Sequence, residues 1–130
     1  MKMTHNFEAY DNSHLIFVSS GHWLYPILEF EAFLKETSRC AETLEIGDKI
    51  IGRAAALLLV RLGVKRIHAG LLSERGKEIL DVNAVTYSYD KLVAKIGCQT
   101  EDILKEEYDM ERAYSLILER IKAREQGDGQ

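Results

Sequence analysis

The sequence predicts an α/β fold in which a sheet is sandwiched between helices, on three observations. Segments rich in strand-forming residues alternate with segments of helical spacing through the middle of the chain, a β–α–β–α–β order. One helical segment, "RAAALLLVRL" (53–62), is apolar nearly all round and so belongs inside the molecule. No internal repeat or composition break divides the 130 residues, a length suited to one domain with one core.

The elements follow in order. Residues 1–12, "MKMTHNFEAYDN", are polar and without pattern, and are expected to form a flexible N-terminal arm on which Phe7 and Tyr10 could dock. "HLIFVSS" (14–20) is short, apolar and rich in strand formers. Pro26 opens "PILEFEAFLKE", where Ile27, Phe30 and Leu34 keep helical spacing and proline suits the first turn. "SRCAE" reads as a loop, and "TLEIGDKII" (43–51) as a strand running into a turn.

A buried helix starts at Gly52 or Arg53, and Gly63 followed by Val64 predicts a Schellman stop. "VKRIHAGLL" is the next strand, ending at Ser73. That serine is a credible N-cap for "ERGKEILDVN", with Glu74 well placed in the first turn. "AVTYSY" (84–89) predicts a third β segment, and "SYDKLVAKI" (88–96) a short helix capped by Ser88 and stopped by Gly97.

"TEDILKEE" begins another helical piece. Met110, Tyr114, Ile117, Leu118 and Ile121 then lay an apolar stripe along a final helix capped by Asp109. The tail "REQGDGQ" is expected to fray. The predicted organisation is thus an arm over 1–12, a single domain over 13–123 and a disordered tail over 124–130.

Composition narrows the function classes. Seventeen basic and 21 acidic residues give a net charge of −4, with no basic patch to attract a nucleic-acid polymer or an anionic membrane. Cys40 and Cys98 stand far apart and outside any C-x-x-C pair, which argues against a disulfide framework and a zinc ribbon. No apolar run is long enough to span a bilayer, and the first residues lack a signal-peptide core. The cytoplasm is the expected compartment.

The stretch "EIGDKIIGRAAALLLVRLG" (45–63) comes within a letter or two of the phosphate-binding loop G-x-x-x-x-G-K-[ST]. Such a loop curls successive N–H groups around an anion and needs a lysine and a hydroxyl beside them. Here Ile50 and Ile51 favour an extended pleat, Asp48 places an acid inside the cradle, Arg53 replaces lysine, and Ala54 cannot bind a metal. The match fails as a nucleotide triphosphatase, and Gly52 reads as strand-to-helix punctuation. A helix start remains, however, with Lys49 and Arg53 beside it, and free N–H groups with a positive dipole end form a generic anion site.

The segment "GDKIIGRAAALLLVRLGVKRIHAGLLSERGKEIL", continued through "SYDKLVAKI" and reaching back to "SSGHWLYPILEF", resembles the bacterial family known as domain of unknown function 1893, with "DKIIGRAAALLL" its most specific part. The resemblance covers about residues 15–96. It implies a three-layer α/β/α sandwich with a mixed sheet, cytidine-deaminase-like, and no assigned reaction. Members of that family often carry Cys-Pro-Met-Glu near the C-terminus; this chain has "YDMER", where only Met110 and Glu111 carry over.

Zinc deaminases place His/Cys-x-Glu at one helix start and Pro-Cys-x-x-Cys at the next, so that the metal activates water and the glutamate moves protons. The corresponding starts here read "GRA" and "SERGK", and the near miss "HAG" at His68 lies within a strand. Zinc deamination is therefore not supported, and neither metal nor cofactor is predicted.

In the deaminase layout the helix starts at Gly52 and Ser73 face one pocket. The leading reading is a zinc-less domain binding a small anionic or nucleotide-like ligand there, through Asp48, Lys49, Gly52, Arg53 and Ser73, with Ser20 and Gly21 as lesser contributors. Asp48 would orient Arg53 or accept a ligand donor. His22 and Trp23 offer a contact and a stacking face, though a tryptophan there more often closes a core. The second reading is a protein-interaction module that self-associates into a homo-oligomer. The third is a metal-independent enzyme using Asp48 or His68; His68 more often lines a sheet with its ring hydrogen-bonded. Cys98 has no basic neighbour to activate it, and Glu106, Glu107 and Asp109 read as a solvated helix junction.

Overall fold

Hydrophobic alternation and helical stripes resolve into one mixed sheet and its helices in a computed structural model that describes residues 5–96 and 103–128. The strands are β1 (Phe7–Asp11), β2 (His14–Ser19), β3 (Glu45–Ile51), β4 (Arg66–Ser73) and β5 (Thr86–Val93), in spatial order β2-β1-β3-β4-β5. β1 runs antiparallel to both neighbours, whereas β3, β4 and β5 are parallel. The helices described are α1 (Tyr25–Thr37), α2 (Arg53–Arg61), α3 (Glu74–Val82) and α4 (Met110–Asp128).

Cross-strand rows define the two faces, because side chains alternate sides along a strand. Phe17, Ala9, Ile46, Ile67 and Tyr87 form an inner row, and Val18, Glu8, Gly47, His68 and Ser88 the adjoining outer row. α1 packs on the inner face, where Phe30 meets Phe7 and Phe17 at centroid distances of 5.3 and 5.6 Å. α3 joins the same face through a 2.5 Å hydrogen bond from the Tyr87 hydroxyl to Asp81. α2 lies between them and α4 packs over it, so 54–59 are buried on all sides, as the all-apolar segment requires. The described helices therefore occupy one face, and the expected arrangement with the sheet between two helical layers is not seen among them. Strand-to-helix crossovers that all advance in the same direction across the sheet deliver their helices to the same side.

The N-terminal segment departs most from expectation. Residues 7–11 do not belong to a loose arm but form an internal strand, with Phe7 and Ala9 fully buried. Alternation of Phe7 and Ala9 with Glu8 and Tyr10 is the signal, hidden by the polar residues around it. Residues 88–93 also differ, continuing β5 in the parallel ladder with β4 rather than starting a helix, so Ser88 pairs with His68 instead of capping. The described part of the next segment, 103–107, closes one turn through Glu107 N–H to the Leu104 carbonyl. α4 continues to Asp128, where a frayed tail was expected from residue 124.

Other local signals operate as read. Gly63 takes a left-handed φ of +89°, and Val64 N–H to Leu59 with Gly63 N–H to Val60 completes the Schellman pair. Asp109 accepts from the N–H groups of Glu111 and Arg112, capping α4. Gly97 and Cys98, the expected helix stop and the second cysteine, lie outside the described residues.

Candidate functional site

β3 delivers Asp48 to the helix-bearing face near its carboxyl end, and Gly52 carries the extended chain directly into α2. Gly52, the N-cap residue of that helix, has no side chain with which to cap it. Across the gap stands the start of α1, likewise without a side-chain cap. Trp23 precedes it in a left-handed conformation, φ +59°, that turns the chain sharply.

Between these two starts lies a cavity of ≈ 320 Å³. Asn6, Gly21, His22, Trp23, Asp48, Lys49 and Gly52 contribute to its walls, with Ala54 and Ala55 from the first turn of α2. Asn6 ties three of the walls together: its side-chain amide donates to the carbonyls of Ser20 and Gly21 at 3.1 and 2.8 Å, and its own carbonyl accepts Lys49 N–H at 3.0 Å. Gly21 N–H in turn donates to Ser19 Oγ at 3.1 Å.

Asp48 dominates the electrostatics. Burial pushes its carboxyl up to about 7, and the opposing effect, a 3.3 Å hydrogen bond from Ile50 N–H, is weaker. A carboxyl balanced between neutral and ionised near pH 7 donates a hydrogen bond in one form and accepts in the other.

Of the residues expected to form the site, Asp48, Lys49, Gly52 and Gly21 line this cavity together. Ser20 stands behind the wall, its carbonyl held by Asn6. Arg53 and Ser73 are elsewhere, and both are fully buried. Arg53 turns away from the cavity to donate to the carbonyls of Arg75 and Glu107 and to Glu78, and its guanidinium lies 4.7 Å from the Tyr108 ring centre. Ser73 Oγ accepts Gly76 N–H at 2.9 Å, a helix cap. The helix starts that share a pocket are thus those of α1 and α2, and Ser73 at the start of α3 is not among the cavity's lining residues. His22 and Trp23 do contribute to the walls. Asn6 lies in a polar, patternless segment that carries no local signal of a site.

His68 lies on the other face of the sheet, with Nδ1 2.7 Å from Ser88 Oγ. Among the described residues no three His, Cys, Asp or Glu gather as a metal site, and no helix is long and apolar enough to cross a membrane.

Comparison with known proteins gives a consistent relation. No curated protein matches the chain. The fold is similar to the crystal structure of a DUF1893 family protein, TM1506, from Thermotoga maritima. The TM-score is 0.76 at 24% identity, covering 88% of this chain and 80% of that one. The model of the family described as domain of unknown function (DUF1893) matches residues 9–121, from the internal strand β1 into α4. With the match running through the sheet, the cavity and the last helix, this chain belongs to the DUF1893 family.

Proposed function

We propose that the cavity between the starts of α1 and α2 binds a small anionic or nucleotide-like ligand without zinc. The observation that carries this reading is the placement of Asp48, a carboxyl raised to about 7, in one cavity with Gly52 and the first turn of α2. Helix N–H groups favour negative charge, and a neutral carboxyl adds a donor to them. Lys49 is part of the wall, its main chain held by Asn6, and Trp23 adds an aromatic ring beside a ligand. A volume of ≈ 320 Å³ sits at the small end of ligand cavities, about 300–1,000 Å³, and suits a single ring or a compact anion.

Ionised Asp48 repels an anion and neutral Asp48 holds it, so an anionic ligand binds more tightly at pH 6 than at pH 8. A thermal-shift series with phosphate, sulfate, nucleobases, nucleosides and nucleotides at both pH values tests this, because binding to the native state raises Tm. The expected result is a shift with one class, reduced in Trp23→Ala, whose dependence on pH disappears in Asp48→Asn. No shift with any class at either pH would remove the reading.

A further inference from the structure

On the sheet face opposite the helices a second, open cavity of ≈ 750 Å³ is lined by Tyr10, Glu45, Arg66, His68 and Ser88 among others. β4 and β5 place His68 and Ser88 directly opposite each other, and Asp90 follows Ser88 by two residues on the same strand. His68 stands between two partners: Nδ1 is 2.7 Å from Ser88 Oγ, and Nε2 is 3.3 Å from Asp90 Oδ1. Nε2 is shielded from solvent, and its contact with Asp90 is a charge contact not aligned as a hydrogen bond. Such base-to-acid contacts are often loose before a substrate binds.

We propose that Ser88, His68 and Asp90 form a nucleophilic triad for the hydrolysis of small carboxylic esters in this cavity. Asp90 favours the tautomer that carries its proton on Nε2, which leaves the Nδ1 lone pair facing the serine hydroxyl. Ser88 Oγ attacks the ester carbonyl carbon while its proton passes to His68 Nδ1. The bond to the alcohol oxygen then breaks, and that oxygen takes the proton from His68. Water attacks the acyl-serine, gives a proton to His68 and releases the acid as the Oγ–carbon bond breaks; the same proton returns to Ser88. The sum is ester plus water to acid plus alcohol. Arg66, two residues before His68 on the same strand and lining the same cavity, supplies positive charge for the tetrahedral oxyanion.

The nucleophile is tested directly with a fluorophosphonate, which phosphonylates an activated serine with loss of fluoride. The expected result is an adduct located by mass spectrometry on Ser88, absent from His68→Ala. Hydrolysis of p-nitrophenyl acetate should fall at least about a hundredfold in Ser88→Ala and in His68→Ala, the scale of a lost positioned base, and less in Asp90→Asn. All three residues lie outside the core, and unchanged melting of the variants verifies that the fold is intact. No adduct on Ser88 in the native protein overturns the proposal. So does hydrolysis that survives Ser88→Ala while depending on His68, which would make the imidazole alone the reactive group.

Discussion

Arg53 and Glu107 are joined by a 2.8 Å hydrogen bond from the buried guanidinium to a main-chain carbonyl 54 residues later in the sequence. The same side chain holds the Arg75 carbonyl in α3 and packs its charge against Tyr108. Tyr108 in turn donates to Glu78, and that contact, followed by Arg53, holds the Glu78 carboxyl below the usual carboxylate range. Arg53 thus fastens the segment that leads into α4 onto α2 and α3. Arg53→Ala should lower stability by about 3 kcal/mol, since two carbonyls lose a charged donor and a fully buried volume empties. Arg53→Lys should recover only part, because an ammonium lacks the planar fork. Urea unfolding measures both, and unchanged midpoints would return Arg53 to the role of a ligand contact.

The raised carboxyl of Asp48 makes stability depend on pH with a definite sign. Between its ordinary value of 3.8 and about 7 the folded state holds more protons than the unfolded state. Asp48 therefore contributes a stability that is full below about pH 4 and declines as pH rises to about 7. Asp48→Asn removes that decline. The variant should gain on the order of 1–3 kcal/mol over the native protein at pH 8 and little at pH 4.5, read as the difference between two urea titrations.

Phe7 sits at zero exposure where β1, β2 and α1 meet. Phe7→Ala should cost about 3–5 kcal/mol, the range for a deleted core aromatic. A chain starting at Ser13 should lose its cooperative thermal transition, since β1 supplies the pairing between β2 and β3. A truncated chain that still melts sharply would mean the sheet closes without its internal strand.

α3 begins against the junction of β3 and α2. A Cβ added at Gly76 would come within 2.9 Å of the Gly52 carbonyl oxygen, main chain that cannot swing aside. Gly76→Ala should therefore destabilise by about 1–3 kcal/mol despite alanine's better helix propensity. Ser73→Ala strands the buried Gly76 N–H and should cost about 1 kcal/mol. Thermal melts of the two variants are sufficient, and a stabilised Gly76→Ala would show that the helix start has room to shift.

Much of the fold was legible because local chemistry and tertiary packing agree in most elements. Gly63, Ser73 and Asp109 announce helix ends and serve as helix ends; the apolar run 53–62 announces a buried helix and is one. Local signals fall short where tertiary pairing overrides them. Phe7 and Ala9 form too short an alternation to stand out, and Lys91, Leu92 and Val93 join β5 only because β4 is beside them. At the site, a backbone turn and a carboxyl, Gly52 and Asp48, were visible as residue types at a strand end. Arg53 shows in the sequence a charge but not its direction: its position at the helix start is as expected, yet its guanidinium points inward to carbonyls. Nothing local ties Asn6 to Gly21 and Lys49, a relation that only the antiparallel insertion of β1 creates.

The internal position of β1, between β2 and β3, also bears on the order of assembly. A chain growing from its N-terminus has β1 and β2 available early, and the turn at Asn12 and Ser13 can close them into a hairpin at once. β1 then presents a bare edge until β3, more than thirty residues later, has been made. An uncovered edge recruits other strands, and slow non-local pairing prolongs its exposure. The β1–β3 ladder spans the greatest sequence separation in the sheet and brings Asp48 beside Phe7, so the cavity waits on slow, non-local pairing. Refolding yield should fall with protein concentration, and the fluorescence of Trp23 should report the cavity among the last features to form.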